Sequence, residues 1–186
     1  MRRLVLMLAL TMPALAGAHT PVKLDPKVPY VVAAPKVSFA LYGVFESGSE
    51  HFVIKLSFDE RFAAPVEVFV PHEQALKEHR PAWAVVGPGL PAPNEEERAA
   101  LPAPLPAGWG AIVDLDTVSP RPVFYEFVMR RFYWSSGAMN VVFPKGDCEL
   151  WVFSPRGTKG KFGLGFGVEE GGGYMAALED WSFYAY

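Results

Sequence analysis

The chain is poor in residues on which several classes of protein depend. Cys148 is the only cysteine among 186 residues, so no internal disulfide contributes to this fold, whatever its compartment. Lys and Arg number 17 against 20 Asp and Glu, which gives a net charge of -3. That balance excludes the basic surface typical of nucleic-acid binding. None of the four histidines stands in a His-x-His or His-x-Glu pair, so their spacing indicates no metal site.

A long hydrophobic run is also missing. The largely apolar stretch from Leu4 to Met12 follows two arginines and precedes a group of small residues. So short a run cannot cross a hydrocarbon core about 30 Å thick, and this order of segments is typical of a signal peptide. We predict a signal peptide over residues 1–18, cleaved after Ala16 or Ala18, with an uncleaved N-terminal anchor as the alternative. The protein is then exported, to the periplasm or the cell exterior.

Turn-forming residues and aromatic residues are abundant. The chain has 17 Gly and 18 Pro, and 14% of its residues are aromatic, which favours strands joined by sharp turns. About ten short strands at intervals of roughly 8 to 14 residues predict an all-β fold, an antiparallel β-sandwich or jelly roll. An extended lead over residues 19–35, with a candidate edge strand at 28–34, precedes a single domain over residues 36–186.

Two segments depart from this strand pattern. Six prolines fall between Gly87 and Gly108, and proline lacks the N–H that a sheet ladder needs, so residues 88–108 are predicted to form a long loop. Within it, Asn94 followed by Glu97 predicts one short helix that ends near Leu101. Residues 174–186 have apolar positions at helical spacing and predict a terminal helix. If the chain continues beyond Tyr186, membrane anchoring there is possible.

Two stretches carry a family resemblance. The first begins at Gly43-Val44-Phe45 and runs through a Gly-Ser turn into an aromatic strand, within residues 43–54. The second, within 146–168, joins Leu150-Trp151-Val152-Phe153 by a Gly turn to residues 160–164. Together they resemble the bacterial pre-peptidase C-terminal type of β-sandwich, which implies a jelly-roll accessory module of secreted proteins. Ser49 and His51 stand where that family tends to place aspartates, so no calcium role is carried over.

Several polar groups have both a structural and a functional interpretation. Asp114 and Asp116 share one face of a predicted strand, a geometry that suits a cation or acid–base chemistry, but solvated carboxylates are common at such a strand end. His72 and His79 are predicted to lie on the surface. Glu126 lies among aromatic residues and is expected to pair with Arg130 or Arg131.

Glycines alternate along a predicted strand at Gly163, Gly165 and Gly167. Alternation within a strand does not match a dinucleotide-binding loop. It predicts instead a flat strip that an aromatic ring can approach closely.

Exposed aromatics are the leading candidates for ligand binding. Trp109, Tyr133 and Trp134 could stack on sugar rings or on a protein partner, with Glu126 as a nearby polar group, and we expect Trp109 and Trp134 to be exposed near the long loop. The leading hypothesis is a non-enzymatic module that binds an extracellular protein or glycan and uses no cofactor.

A copper site is the alternative hypothesis. If cleavage follows Ala18, the amine and ring of His19 could chelate Cu(II), with His51, or less favourably His72, as the second histidine.

Overall fold

A computed structural model describes residues 19–126 and 129–169 of the chain. The predicted signal peptide and the predicted helix at 174–186 therefore lie outside the described residues. Strands β1 to β6 are Thr20–Lys23, Tyr30–Val31, Phe39–Phe45, His51–Phe58, Phe62–Pro71 and Ala82–Pro88. Strands β7 to β12 are Trp109–Asp114, Val123–Glu126, Arg131–Ser135, Met139–Phe143, Gly146–Phe153 and Gly160–Phe166. In this described part of the chain, one α-helix, α1, covers Glu95–Ala100, and a short 3₁₀ helix covers Gln74–Leu76.

The strands form two sheets that pack face to face. The larger sheet has the order β1-β3-β12-β5-β9-β8, with β10 also paired to β5, and the smaller sheet has the order β2-β4-β11-β6-β7. Among the strands of the described residues, all pairings are antiparallel except β1 with β3 and β2 with β4. These two parallel pairings place one piece of the N-terminal lead at an edge of each sheet. The all-β sandwich predicted from strand spacing is confirmed.

Alternation along the strands produces the core between the sheets. In β4, Phe52, Ile54, Leu56 and Phe58 are buried, while the residues between them are partly or fully exposed. The same alternation lines the core from most of the other long strands. Burial of this apolar surface contributes more than any other interaction to the stability of the sandwich.

Residues 123–134 carry large apolar groups at alternate positions of both faces, a pattern that predicts one strand that is covered on both sides or turns a corner midway. The structure has a hairpin there. β8 ends at Glu126 and β9 begins at Arg131, with Arg130 in the turn at a positive φ of 52°. Each arm of the hairpin places apolar groups on both of its faces, which explains why the whole run lacked a polar side. A single strand was therefore the wrong interpretation of this segment.

The Pro-rich loop at 88–108 forms a third layer over the smaller sheet. The helix α1 within it begins with the predicted capping box, in which Asn94 and Glu97 each accept from the other's backbone N–H. Apolar loop side chains such as Leu101 and Leu105 pack against the apolar cluster on the outer face of the sheet, which includes Trp151 and Phe153. Within the described residues, no helix is long and apolar enough to cross a bilayer.

Candidate functional site: a cleft on the outer face of the smaller sheet

The structure divides the four residues proposed for ligand binding between the two sheets. Trp109 begins β7 in the smaller sheet and is half-buried against the Pro-rich loop. Trp134 and Tyr133 belong to β9 in the larger sheet, where Tyr133 is buried beside Phe69. Trp109 lies at the long loop and Trp134 lies in the other sheet, and both residues are half-buried. The expectation that both are exposed near the long loop is therefore wrong.

Trp109 borders an open cleft of about 370 Å³, a volume within the range of small-molecule sites. Its floor is the outward face of β4 and β11, where Lys55 lies directly opposite Glu149 and Ser57 directly opposite Asp147. These four side chains point outward because their strand neighbours, among them Leu56 and Cys148, face the core. Val31 of β2 borders the cleft on the side away from Trp109.

The loop fixes the position of Trp109. The backbone N–H of Trp109 donates to the Pro106 carbonyl at 3.0 Å, and the backbone N–H of Ala111 donates to the Pro91 carbonyl at 2.8 Å. Between them, Gly110 lies so close to the backbone of Leu90 and Pro91 that a Cβ atom there would collide with their carbonyl oxygens. The backbone of Leu90 and Pro91 can pass over Gly110 because glycine has no side chain. The loop thereby holds Trp109 at the border of the cleft.

The polar groups of the cleft differ in how firmly they are held. The indole N–H of Trp151, which is 4% exposed, donates to Glu149 Oε2 at 2.7 Å, so that carboxylate is fixed. Among the described residues, neither the Asp147 carboxylate nor the Lys55 ammonium has a hydrogen-bond or ion-pair partner. The cleft thus combines an aromatic border, a fixed carboxylate and two groups free to bind a ligand.

Cys148 also lines the cleft, through its position between Asp147 and Glu149. Its side chain is buried in the core, and burial raises the pKa of the thiol to about 12. A protonated, buried thiol is a poor nucleophile. Cys148 therefore has a packing role.

A buried ion cluster lies at the end of the sandwich where β6 begins and β7 ends. We call this end the loop end; the Pro-rich loop joins the opposite ends of the same two strands. Asp116 has no exposed side-chain surface and forms ion pairs with Arg80 (Nη1 to Oδ1, 3.3 Å) and Arg121 (Nη2 to Oδ2, 3.0 Å). Arg80 also donates to the carbonyls of Asp116 and Val118, and Arg121 donates to the carbonyl of His79. The prediction of solvated carboxylates is wrong for Asp116, because the residues that follow β7 turn inward onto the two guanidinium groups.

Burial shifts two pKa values at the loop end in opposite directions. It raises the pKa of Asp116 to about 6, although Arg121 and Arg80 act against this shift. It lowers the pKa of His79 to about 4, and the positive charge of Arg121 acts in the same direction. The His79 ring is 2% exposed and contacts Phe45, so the prediction of a surface histidine is wrong there. His72 is exposed, as expected, with its ring against Trp134.

The β8–β9 hairpin presents a second feature, an aromatic strip. The register places Val123 opposite Trp134 and Tyr125 opposite Phe132, so these four side chains share one face. Phe132 is 55% exposed, Val123 49% and Tyr125 39%. Glu126 lies on the other face and accepts from the backbone N–H of Met129 within the turn. The sequence pattern identified Trp134 but not its more exposed neighbours.

The glycine strip has the predicted packing role. The ring of Phe69 lies over Gly163, where a Cβ atom would overlap it. Phe69 also forms edge-to-face contacts with Tyr42 and Tyr133. The prediction that an aromatic approaches this strand closely is confirmed.

The structure separates the histidines of the copper hypothesis. The ring of His19 contacts Ser38 Oγ at 2.5 Å, just before β3 begins, whereas His51 follows the turn after β3 ends. Six residue steps of β3 between these points span about 20 Å. His72 follows β5, which runs alongside β3 in the same direction through β12, and so lies at the same end as His51. One copper ion cannot bridge His19 to either histidine, which overturns that ligand set.

The fold defines the chain as an all-β sandwich with a covering loop. No family model matches the chain, and no curated protein matches it. Among solved structures, it is similar to the pre-peptidase C-terminal domain of a collagenase from Bacillus anthracis, with 11% identity and a TM-score of 0.40 over 75% of this chain and 94% of that chain. The predicted weak resemblance to this type of sandwich is confirmed as a weak one, and the interpretation of the cleft depends on this chain's own residues.

Proposed function

We propose that the chain is an exported, non-enzymatic accessory module that binds carbohydrate in the cleft beside Trp109. The observation that carries the proposal is the combination, in one open cleft, of a held indole and the outward Ser57, Lys55, Asp147 and Glu149 side chains. The predicted signal peptide supports export.

The chemistry of the cleft suits a sugar ring. The flat face of an indole provides apolar contact for the C–H face of a pyranose, while carboxylate oxygens accept hydrogen bonds from vicinal hydroxyls and a lysine donates to them. Successive outward residues on a strand are about 6.6 Å apart, so Asp147 and Glu149 can reach different substituents of one ring. A preformed site of this kind binds its ligand without a large ordering cost.

Isothermal titration calorimetry with soluble hexasaccharides tests the proposal. We expect at least one of cellohexaose, maltohexaose and N-acetylchitohexaose to bind the full chain, and Trp109→Ala to weaken binding about tenfold or more, as truncation of a central aromatic does. Trp134→Ala is the matched control, since Trp134 is also half-buried but lies in the other sheet. Failure of every hexasaccharide to bind, or equal weakening by both variants, contradicts the proposal.

Protein binding through the aromatic strip is a second candidate. The exposed Phe132, Tyr125 and Val123 side chains favour it, because contiguous exposed apolar groups often mark interaction surfaces. Phe132→Ser should abolish capture of a secreted protein that the wild type and Trp109→Ala both retain. Capture that survives Phe132→Ser combined with Tyr125→Ser rules out this surface.

A further inference from the structure

The charges of the cleft are unequal. Asp147 and Glu149 contribute two negative charges to its floor, and Lys55 contributes one positive charge. Glu149 is occupied in part by the Trp151 indole. Among the described residues, the Asp147 carboxylate has no hydrogen-bond or ion-pair partner. It lies in the same row of the sheet as Pro88 and Trp109.

Lys55 does not neutralise this excess. It stands directly opposite Glu149 on the neighbouring strand, a position at which opposite charges often interact. In the part of the chain that the structure describes, Lys55 forms no ion pair. An exposed ammonium at such a site remains hydrated and offers its protons to ligand hydroxyls.

We infer that the cleft selects sugars that carry a protonated amine, a specificity that rests on the carbohydrate-binding function proposed above. In this arrangement Asp147 accepts from the ammonium group while Trp109 contacts the ring, and the indole face adds cation–π attraction. Glu149, fixed by Trp151, accepts from a neighbouring hydroxyl. A uronic acid is disfavoured because its carboxylate meets two negative charges.

Two hexasaccharides that differ in one substituent per ring isolate this specificity. The β-1,4-linked glucosamine hexamer carries an ammonium at C2 of each ring, where cellohexaose carries a hydroxyl. At low salt and mildly acidic pH, we expect the full chain to bind the amine-bearing hexamer about threefold to fivefold more tightly, the contribution of an exposed charge pair. Added salt should reduce the preference, and hexagalacturonate should bind less tightly than either.

Substitutions assign the preference to the cleft. Asp147→Asn should remove the preference for the amine. Because the amide oxygen still accepts a hydrogen bond, the variant should weaken binding of the amine-bearing hexamer more than binding of cellohexaose. Lys55→Met should increase the preference. Glu95→Gln on helix α1 removes the same charge outside the cleft and should change neither affinity.

The outcomes distinguish the two proposals. Equal binding of both hexamers, or an unchanged preference in Asp147→Asn, overturns the amine specificity while carbohydrate binding stands. If Glu95→Gln reduces the preference for the amine as much as Asp147→Asn does, the preference comes from the overall charge of the protein. That result also overturns the amine specificity of the cleft. Absence of binding by every hexamer overturns both proposals.

Discussion

The loop end and the cleft use the same kinds of charged residue in different ways. At the loop end, Asp116 is fully buried and Arg121 is 4% exposed, and each charge meets an opposite one. In the cleft, Lys55 and Asp147 are exposed and, among the described residues, unpaired. Burial makes a charge dependent on its partner, whereas an exposed charge remains available to a ligand. The first group should therefore control stability, and the second should control binding.

Removal of one arginine from the buried cluster should have the largest effect. Arg121→Met leaves Asp116 buried with only Arg80 as a partner, and loss of one member of a buried ion pair costs about 3–5 kcal/mol. Equilibrium urea unfolding at neutral pH measures the change. Arg61→Met, at an exposed position just before β5, serves as the control and should cost less than about 0.5 kcal/mol. Equal unfolding free energies for Arg121→Met and Arg61→Met would show that the buried ion cluster does not stabilise the fold.

Acidification should expose the opposing titrations of His79 and Asp116. The pKa of His79 is lowered to about 4, so its stabilising contribution is complete above about pH 6.5 and is lost as the pH falls through 4. The pKa of Asp116 is raised to about 6, so its contribution to folding stability grows as the pH falls below about 6. In a variant without His79, only this gain from Asp116 remains.

His79→Gln should therefore gain stability relative to wild type on acidification. Between about pH 7 and pH 4 the difference in unfolding free energy should shift in favour of the variant by up to about 3 kcal/mol. Urea unfolding of both proteins across this range measures the shift. A difference that stays constant with pH would contradict burial of a neutral His79.

The glycine beneath the Pro-rich loop links stability to the cleft. Gly110→Ala places a Cβ atom against the carbonyl oxygens of Leu90 and Pro91, and relief of such overpacking costs about 1–3 kcal/mol. We expect lower stability and weaker hexasaccharide binding together, since Trp109 must move with the loop. Gly165→Ala is the matched control, because its Cβ would make ordinary contacts. Unchanged sugar affinity in Gly110→Ala would show that the loop does not position the indole.

The exposed charges of the cleft should contribute least to stability. Asp147→Asn and Lys55→Met should each change the unfolding free energy by no more than about 0.5 kcal/mol, while altering the selectivity between amine-bearing and neutral sugars. Thermal unfolding monitored by circular dichroism checks this. A melting temperature several degrees lower in either variant would show that these residues stabilise the fold, as the buried ion cluster does.

Local patterns in the sequence predicted the parts of the fold that depend on local chemistry. Period-two alternation in His51–Phe58 and the capping residues Asn94 and Glu97 act within a few positions, so the strand and the helix could be predicted. The hairpin at Val123–Ser135 was missed because both arms carry apolar residues on both faces, which hides the turn between them.

The site depends on contacts between distant segments, and those could not be predicted. Trp109 was predicted to be an exposed binding aromatic and is half-buried. Its neighbours Asp147 and Lys55 reach the cleft only through the register of β11 with β4 and the position of β7. Burial of Asp116 likewise depends on Arg80 and Arg121, each supplied by a different connection. Composition and spacing carry no information about such pairings.

The central claim, that Trp109 borders a carbohydrate site, is tested most directly by nuclear magnetic resonance of the indole N–H groups during titration with a hexasaccharide that binds. We predict that the Trp109 signal shifts in a saturable manner, that the Trp151 signal responds through Glu149, and that the Trp134 signal in the other sheet stays in place. A shift confined to Trp134, or no shift at Trp109 at saturation, would contradict the claim.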